Sequence, residues 1–177
     1  MNRIEKGSLL VLAIIVAFNI FFGLGSIPLL DPDEPVYAET AREMIQFNDY
    51  LSPRIYNEYW FDKPPMYYWL VAGAMHVFGD GEFAARFPAA LMAFLTVIML
   101  YCSITRLFNE RAGFWSALVL ATSVQFFYLG KAAVTDTTLL FFLTGSLLCY
   151  LHKQYWLMYV CMAVSYTHLR AHETRRH

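Results

Sequence analysis

From Ser8 to Leu30 the chain carries no charged residue. A helix needs about 20 such residues to cross the hydrocarbon core of a bilayer. In lipid the backbone must satisfy its own hydrogen bonds, so this run has one outcome, an α-helix. It ends abruptly at Asp31-Pro32-Asp33-Glu34-Pro35, where three carboxylates arrive within four positions. Carboxylates this close disfavour one another's ionisation unless cations or hydrogen-bond donors answer them. An acidic cluster at the mouth of a membrane helix therefore points to function.

Composition agrees. Hydrophobic residues make up 58% and charged residues 15%, against roughly 25% charged in a soluble domain. A net charge of −1 without a basic patch gives no argument for a nucleic-acid partner. Ten of the 14 acids fall between Asp31 and Glu82, so this segment is one acidic hydrophilic unit in an apolar chain. Cys102, Cys149 and Cys161 lie in apolar runs without metal-ligand or redox spacing. A secretory signal over residues 1–25 is disfavoured, because the apolar run exceeds the usual ~7–15 residues and further runs follow.

Those runs cover 8–30, 64–78, 87–105, 112–130, 137–151 and 155–166. The run 64–78 is short, roughly 22 Å of helix against a core of about 30 Å. Charge placement decides its status. Arg3 and Lys6 put the N-terminus in the cytoplasm by the positive-inside rule. If 64–78 does not span, residues 31–86 form one external loop, and Arg106, Arg111 and His152-Lys153 fall inside. If it spans, Arg106 and Arg111 fall outside, and Asp136 is separated from Asp33 by the bilayer. The first arrangement is expected. It gives an all-α polytopic membrane protein with about five transmembrane helices and two amphipathic surface helices, 35–48 and 64–78, in the first external loop.

Pro35 suits the first position of the first surface helix, with Asp33 or Glu34 capping it. Tyr37, Ala41, Met44 and Ile45 then form an apolar stripe, with Glu39, Thr40, Arg42 and Glu43 opposite. Tyr56, Tyr59, Trp60, Phe61, Tyr67, Tyr68 and Trp69 are expected to form an aromatic belt at headgroup level, also suited to stacking on a sugar ring.

The candidate chemistry sits on the external face. Asp33 and Glu34 are the candidate catalytic carboxylates, with helix capping as the plain alternative. Asp62-Lys63-Pro64-Pro65 holds an acid and a cation on a stiff turn, where Lys63 suits a phosphate. Asp136 opens an apolar run and faces the same side, as do Lys131 and Arg86. Acids and cations gathered on one membrane face suit an anionic headgroup beside a catalytic carboxylate. No phosphate-binding glycine loop, Ser-His-Asp arrangement or H-E-x-x-H is present.

Together these residues resemble a family. A first span followed by Asp33-Glu34-x-x-Tyr37-Ala38-Glu39, then Arg42-Glu43-Met44, then Phe61-Asp62-Lys63-Pro64-Pro65 with Tyr68-Trp69 is similar to the GT-C glycosyltransferases. Within them it resembles the bacterial aminoarabinose (lipid A) transferases and the protein O-mannosyltransferases. The resemblance covers residues 8–151, roughly the N-terminal third of a typical member. It implies an inverting multi-pass enzyme of the bacterial cytoplasmic membrane that takes a sugar from a polyprenyl-phosphate donor at the external face. The acceptor would be a lipid A-like glycolipid, a protein or an envelope glycan. Asp33 matches the family's first-loop catalytic aspartate, Asp62 and Lys63 its acid–lysine pair, and Asp136 a further loop acid. Val36 stands where the aminoarabinose transferases often carry Arg.

The expected sites are thus Asp33 and Glu34 for catalysis and Tyr37, Asp62, Lys63, Arg86, Lys131 and Asp136 for substrate. No metal ligand set is assigned and no cofactor is required, though the acidic cluster admits a divalent cation. The rivals are a transporter with an acidic vestibule, which lacks a mid-span charge, and a non-catalytic assembly protein. Residues 1–166 are expected to form the N-terminal part of the transmembrane transferase domain, inactive alone. Thr167–His177, with three of the five histidines, reads as a non-native tail.

Overall fold

The computed structural model describes residues 3–30, 32–61 and 63–170, with side chains described between Lys6 and Tyr166. Asp31, Asp62 and residues 171–177 lie outside the described residues. The chain folds as helices α1 (Arg3–Phe21), α2 (Asp33–Gln46), α3 (Pro65–Phe78), α4 (Glu82–Leu107), α5 (Glu110–Ala121), α6 (Val124–Gly130), α7 (Asp136–Leu151) and α8 (Tyr155–Arg170). Helix α8 runs through the expected tail boundary at 166/167.

Contacts at the two ends of the bundle fix the topology. At one end Ser8 of α1 bonds to Glu110 at the start of α5. At the other, Arg86 of α4 donates to the carbonyls of Leu24, Ile27 and Pro28 just beyond α1. The chain from 24 to 86 therefore leaves and re-enters the bundle at one end, with α2 and α3 between the two points. Helix α3 has 14 residues, about 21 Å. Among the described residues only α4, with 26 residues, is long and apolar enough to span alone; α1, α7 and α8 are shorter apolar helices. The outer surface carries exposed Leu10, Phe18, Val119, Leu147 and Trp156, the surface a helix bundle presents to hydrocarbon.

Helix α4 is the axis. Ala84, Ala85, Ala89, Ala90 and Ala93 are buried on it, and small residues let neighbouring backbones approach. Gly113 of α5 shows how close: a Cβ there would lie 2.9 Å from the Tyr101 carbonyl and 3.0 Å from the Thr105 amide. Two cores result. One joins α1 to α4 and α5 through Leu12, Val16, Ile20, Val97, Tyr101 and Ala117. The other joins α2 to α3 and the start of α4 through Tyr37, Ala41, Met44, Tyr67, Tyr68, Val71 and Ala85. The surface helices are thus packed onto the bundle by a core of their own.

Several local expectations are corrected. The run 112–130 is two helices meeting at 68°. The Thr122 hydroxyl donates to the Leu118 and Val119 carbonyls, and Ser123 is extended, which ends the α ladder. The loop between α2 and α3 holds a minimal antiparallel hairpin, β1 (Arg54–Ile55) with β2 (Glu58–Tyr59), an addition to the all-α scheme. Helix α2 begins at Asp33 after Pro32, and neither Asp33 nor Glu34 caps it. Its stripe is as expected at Tyr37, Ala41 and Met44, but Thr40 and Glu43 are also buried. Thr40 donates back to the Val36 carbonyl, and both Glu43 oxygens accept from the Asn57 amide. The aromatic belt splits: Tyr56, Tyr59, Phe61 and Trp69 are exposed, whereas Tyr67 and Tyr68 are core.

Candidate active site

The centre of the site is a buried ion pair between α2 and α4. Glu34 is 3% exposed and Arg86 is 1% exposed. Arg86 Nε donates to Glu34 Oε1 at 2.9 Å, and Nη2 to Oε2 at 2.7 Å. Two parallel bonds of this kind are the strong, orienting form of the interaction. The remaining guanidinium N–H groups go to backbone: Nη1 to Ile27 O (2.8 Å) and Leu24 O (3.1 Å), Nη2 to Pro28 O (2.9 Å). All five N–H donors of the side chain are engaged. Glu34 also accepts from two amides, Leu30 N and Ala133 N, each at 2.6 Å.

Burial pushes the Glu34 carboxyl up, but the Arg86 hydrogen bonds, the two backbone amides and the Arg86 charge outweigh it, and the group sits below its ordinary value. The carboxylate is thus held ionised. The pair ties four segments separated in sequence: the exit of α1, the start of α2, the start of α4 and the loop before α7.

This geometry changes the expectations for two residues. Arg86 has no N–H left for a phosphate, and Glu34 has its oxygens filled by four donors. The next carboxylate along the chain, Asp33, is exposed on the first turn of α2. Asp136 is exposed at the first position of α7, three residues beyond the Ala133 amide that bonds Glu34. Asp33 and Asp136 therefore occupy the same end of the bundle as the pair. Lys63, half-buried immediately before the Pro64 that precedes α3, makes no ion pair among the described residues. Its expected partner Asp62 lies outside them.

Lys131 is committed to α1. Its Nζ donates to Phe22 O at 2.7 Å and stands 4.9 Å from the centre of the Phe127 ring. A cation at helix-end carbonyls complements the macrodipole. It also borders a cavity of about 280 Å3 reaching Glu34 and Arg86, walled by Ser26, Phe127 and Tyr128.

Tyr37 is buried edge-on against Tyr67, ring centres 5.1 Å apart, with Tyr68 beside it. The Tyr67 hydroxyl is fully buried with no hydrogen-bond partner among the described residues. Burial, then the Tyr37 phenol and the charges of Glu34 and Asp136, hold it well above its ordinary value, so it remains a proton donor. Sequence reasoning put Tyr67 at the surface and left Glu34 without its partner. The available signal was Arg86 itself, set among Ala84, Ala85, Ala89 and Ala90, where a cation needs a carboxylate. No group of three His, Cys, Asp or Glu side chains poised for a metal occurs among the described residues.

A polytopic helix bundle, with the α2–α3 pair packed by its own core at one end, defines the architecture. Residues 62–174 match the family described as dolichyl-phosphate-mannose-protein mannosyltransferase, and the chain belongs to that family. Among curated relatives, the undecaprenyl phosphate-alpha-4-amino-4-deoxy-L-arabinose arabinosyl transferase of Yersinia enterocolitica is 33% identical over 150 residues, 84% of this chain and 27% of that protein. The corresponding transferase 2 of Proteus mirabilis is 29% identical over 149 residues, again 84% and 27%. The crystal structure of ArnT from Cupriavidus metallidurans bound to undecaprenyl phosphate shares the fold, with a TM-score of 0.85 at 24% identity over 92% of this chain and 32% of that one. The chain spans between a quarter and a third of the length of these proteins.

Proposed function

We propose that this chain contributes the first-loop site of an inverting membrane glycosyltransferase that moves a sugar from a polyprenyl-phosphate donor to an acceptor at the external face. The N-terminus is cytoplasmic in this reading, and the membrane is the bacterial cytoplasmic one. The observation that carries it is the division of labour around the buried pair. Glu34 and Arg86 are saturated with each other and with backbone, which leaves Asp33 as an exposed acid next to Glu34 and Lys63 as a cation without an ion pair among the described residues. The names of the relatives support a polyprenyl-phosphate-linked donor, with 4-amino-4-deoxy-L-arabinose as the first sugar to test; the motif resemblance makes a lipid A-like glycolipid the first acceptor to test.

In the reaction an acceptor oxygen attacks the anomeric carbon while the bond from that carbon to the phosphate oxygen breaks. Polyprenyl phosphate leaves, and single displacement inverts the anomeric centre. Lys63 offsets the charge on the leaving phosphate. Asp33 orients the acceptor hydroxyl and takes its proton. Asp62, from its place in the sequence, and Asp136 are assigned to the substrate, and Tyr37, packed edge-on against Tyr67, backs the start of α2. Glu34 and Arg86 act as positioning residues.

The test is transfer of radiolabelled sugar from a polyprenyl-phosphate donor by the full-length parent in membranes. Asp33→Asn is expected to lower turnover on the order of 10²-fold, the usual size of an acid–base contribution, with normal expression and insertion. Asp33→Asn turning over like the parent would remove Asp33 from the chemistry. A parent that transfers no sugar from any such donor would end the reading.

A further inference from the structure

A second cavity lies on the outer side of α2, away from Lys131 and Arg86. It encloses about 200 Å3 and is bordered by Pro32 and Pro35, which bracket Asp33 and Glu34 in the chain, and by Glu39, Arg42 and Tyr56. Pockets for drug-sized ligands run from about 300 to 1,000 Å3, so this one suits a single ring.

Its rim is made by the tip of the hairpin. Tyr56 and Asn57 both have positive φ, 54° and 66°, the signature of a type I′ turn, which favours Asn-Gly. Asn57 fits. Tyr56 does not, since a bulky residue at positive φ is an outlier, and such strain, where observed, marks candidate functional positions. The Tyr56 ring is 79% exposed, so packing does not account for it. The hairpin is pinned nonetheless. Glu43 receives the Asn57 amide, and Arg54 bonds Asp49 while lying between the Phe47 and Tyr59 rings at 4.8 and 4.7 Å. An aromatic side chain on an anchored backbone therefore stands open at the cavity mouth.

The polar wall is equally ordered. Arg42 is gripped by Asp80 at 2.7 and 3.0 Å and by Glu39. Two carboxylates against one guanidinium disfavour a phosphate and offer acceptors and donors to hydroxyls.

We propose that this cavity seats a sugar ring of the acceptor, with Tyr56 stacked on its face and Glu39 and Arg42 bonding its hydroxyls beside Asp33. This rests on the glycosyltransferase reading above and adds to it the place where the acceptor's sugar is recognised and the residues that recognise it.

The test uses the full-length parent in membranes with lipid A as acceptor. Tyr56→Asn suits the positive φ and removes the ring, so the protein should unfold at the same temperature or higher. Acceptor KM should rise on the order of tenfold, the size of one aromatic contact, with donor KM unchanged. Tyr56→Phe should return the acceptor KM to that of the parent. An unchanged acceptor KM in Tyr56→Asn, or an equal rise in donor KM, would overturn the proposal.

If the parent proves not to be a transferase, the cavity is read by hydrogen exchange at residues 54–60 with a glucosamine disaccharide. Protection that Tyr56→Asn abolishes supports the sugar site. No protection, or protection only by a Ser/Thr-rich peptide, overturns it.

Discussion

Glu34→Gln is nearly isosteric, yet it should be among the most damaging single changes in the described chain. One carboxylate oxygen becomes an NH2 group. Whichever oxygen is replaced, two donors lose their acceptor: an Arg86 N–H together with either the Leu30 or the Ala133 amide. Each bond to a charged group is worth about 1.5–3 kcal/mol. Arg86, 1% exposed, would also keep a full charge without a counter-ion. Breaking a buried pair from one side costs about 3–5 kcal/mol, which is the loss expected in unfolding of the purified protein in detergent.

Arg86→Met should cost a similar amount, because Glu34 would then be buried as an unpaired anion. The double variant should lose less than the sum of the two singles, by about 0.5–3 kcal/mol of coupling. It should not recover the parent's stability, since three backbone carbonyls and one of the two amides still lose their partners.

The pH dependence has a definite sign. The folded carboxyl sits below its ordinary value, so its contribution is complete above the unfolded pKa of about 4.3 and is lost as pH falls through the folded value. Glu34→Gln should therefore flatten the acid limb of the stability curve and lower stability uniformly above it. A loss under about 1 kcal/mol, against the 3–5 expected for a buried pair, or strictly additive singles would refute the structural role.

Gly113→Ala should destabilise the α4–α5 contact by about 1–3 kcal/mol, the usual cost of overpacking, because two of the three clashes are with backbone; thermal unfolding reads it. Lys63→Met in the full-length parent should raise donor KM and leave acceptor KM unchanged, and the reverse pattern would remove Lys63 from the phosphate. In a cysteine-free background, Leu51→Cys should react with impermeant reagents from outside the cell and Phe108→Cys should not. Both side chains are exposed, so labelling of Phe108→Cys from outside would invert the proposed orientation.

The bundle was legible in sequence because apolar runs and flanking charges are long, additive signals. The non-spanning reading of 64–78 rests on its length and on the placement of Arg106 and Arg111, and the contacts of Arg86 with the α1 exit show that the segment starts and ends at one end of the bundle. Short-range exceptions were not legible. Thr122-Ser123 is a weak mark inside an apolar run, and a hydroxyl's back-bonding does not appear in hydropathy. The hairpin was hidden by its own strain, since Tyr stands where a turn of that type favours Asn or Gly.

The two adjacent acids show the deeper limit. Asp33 and Glu34 look equivalent in sequence, and either serves as cap or catalyst on composition alone. Their difference arises from partners 52 and 99 residues from Glu34, the Arg86 guanidinium and the Ala133 amide. Successive residues on a helix point about 100° apart, so fixing Glu34 inward necessarily turns Asp33 toward solvent. The same bond to Ala133 brings the start of α7, with Asp136, to that face. The buried acid thereby determines where the exposed ones stand. In the proposed reading, chemistry assigned to Asp33 depends on a neighbour whose oxygens are taken by Arg86 and two backbone amides, and this is why the matched pair Asp33→Asn and Glu34→Gln separates the two roles. The first should remove turnover and keep stability; the second should lower stability and carry turnover down with it.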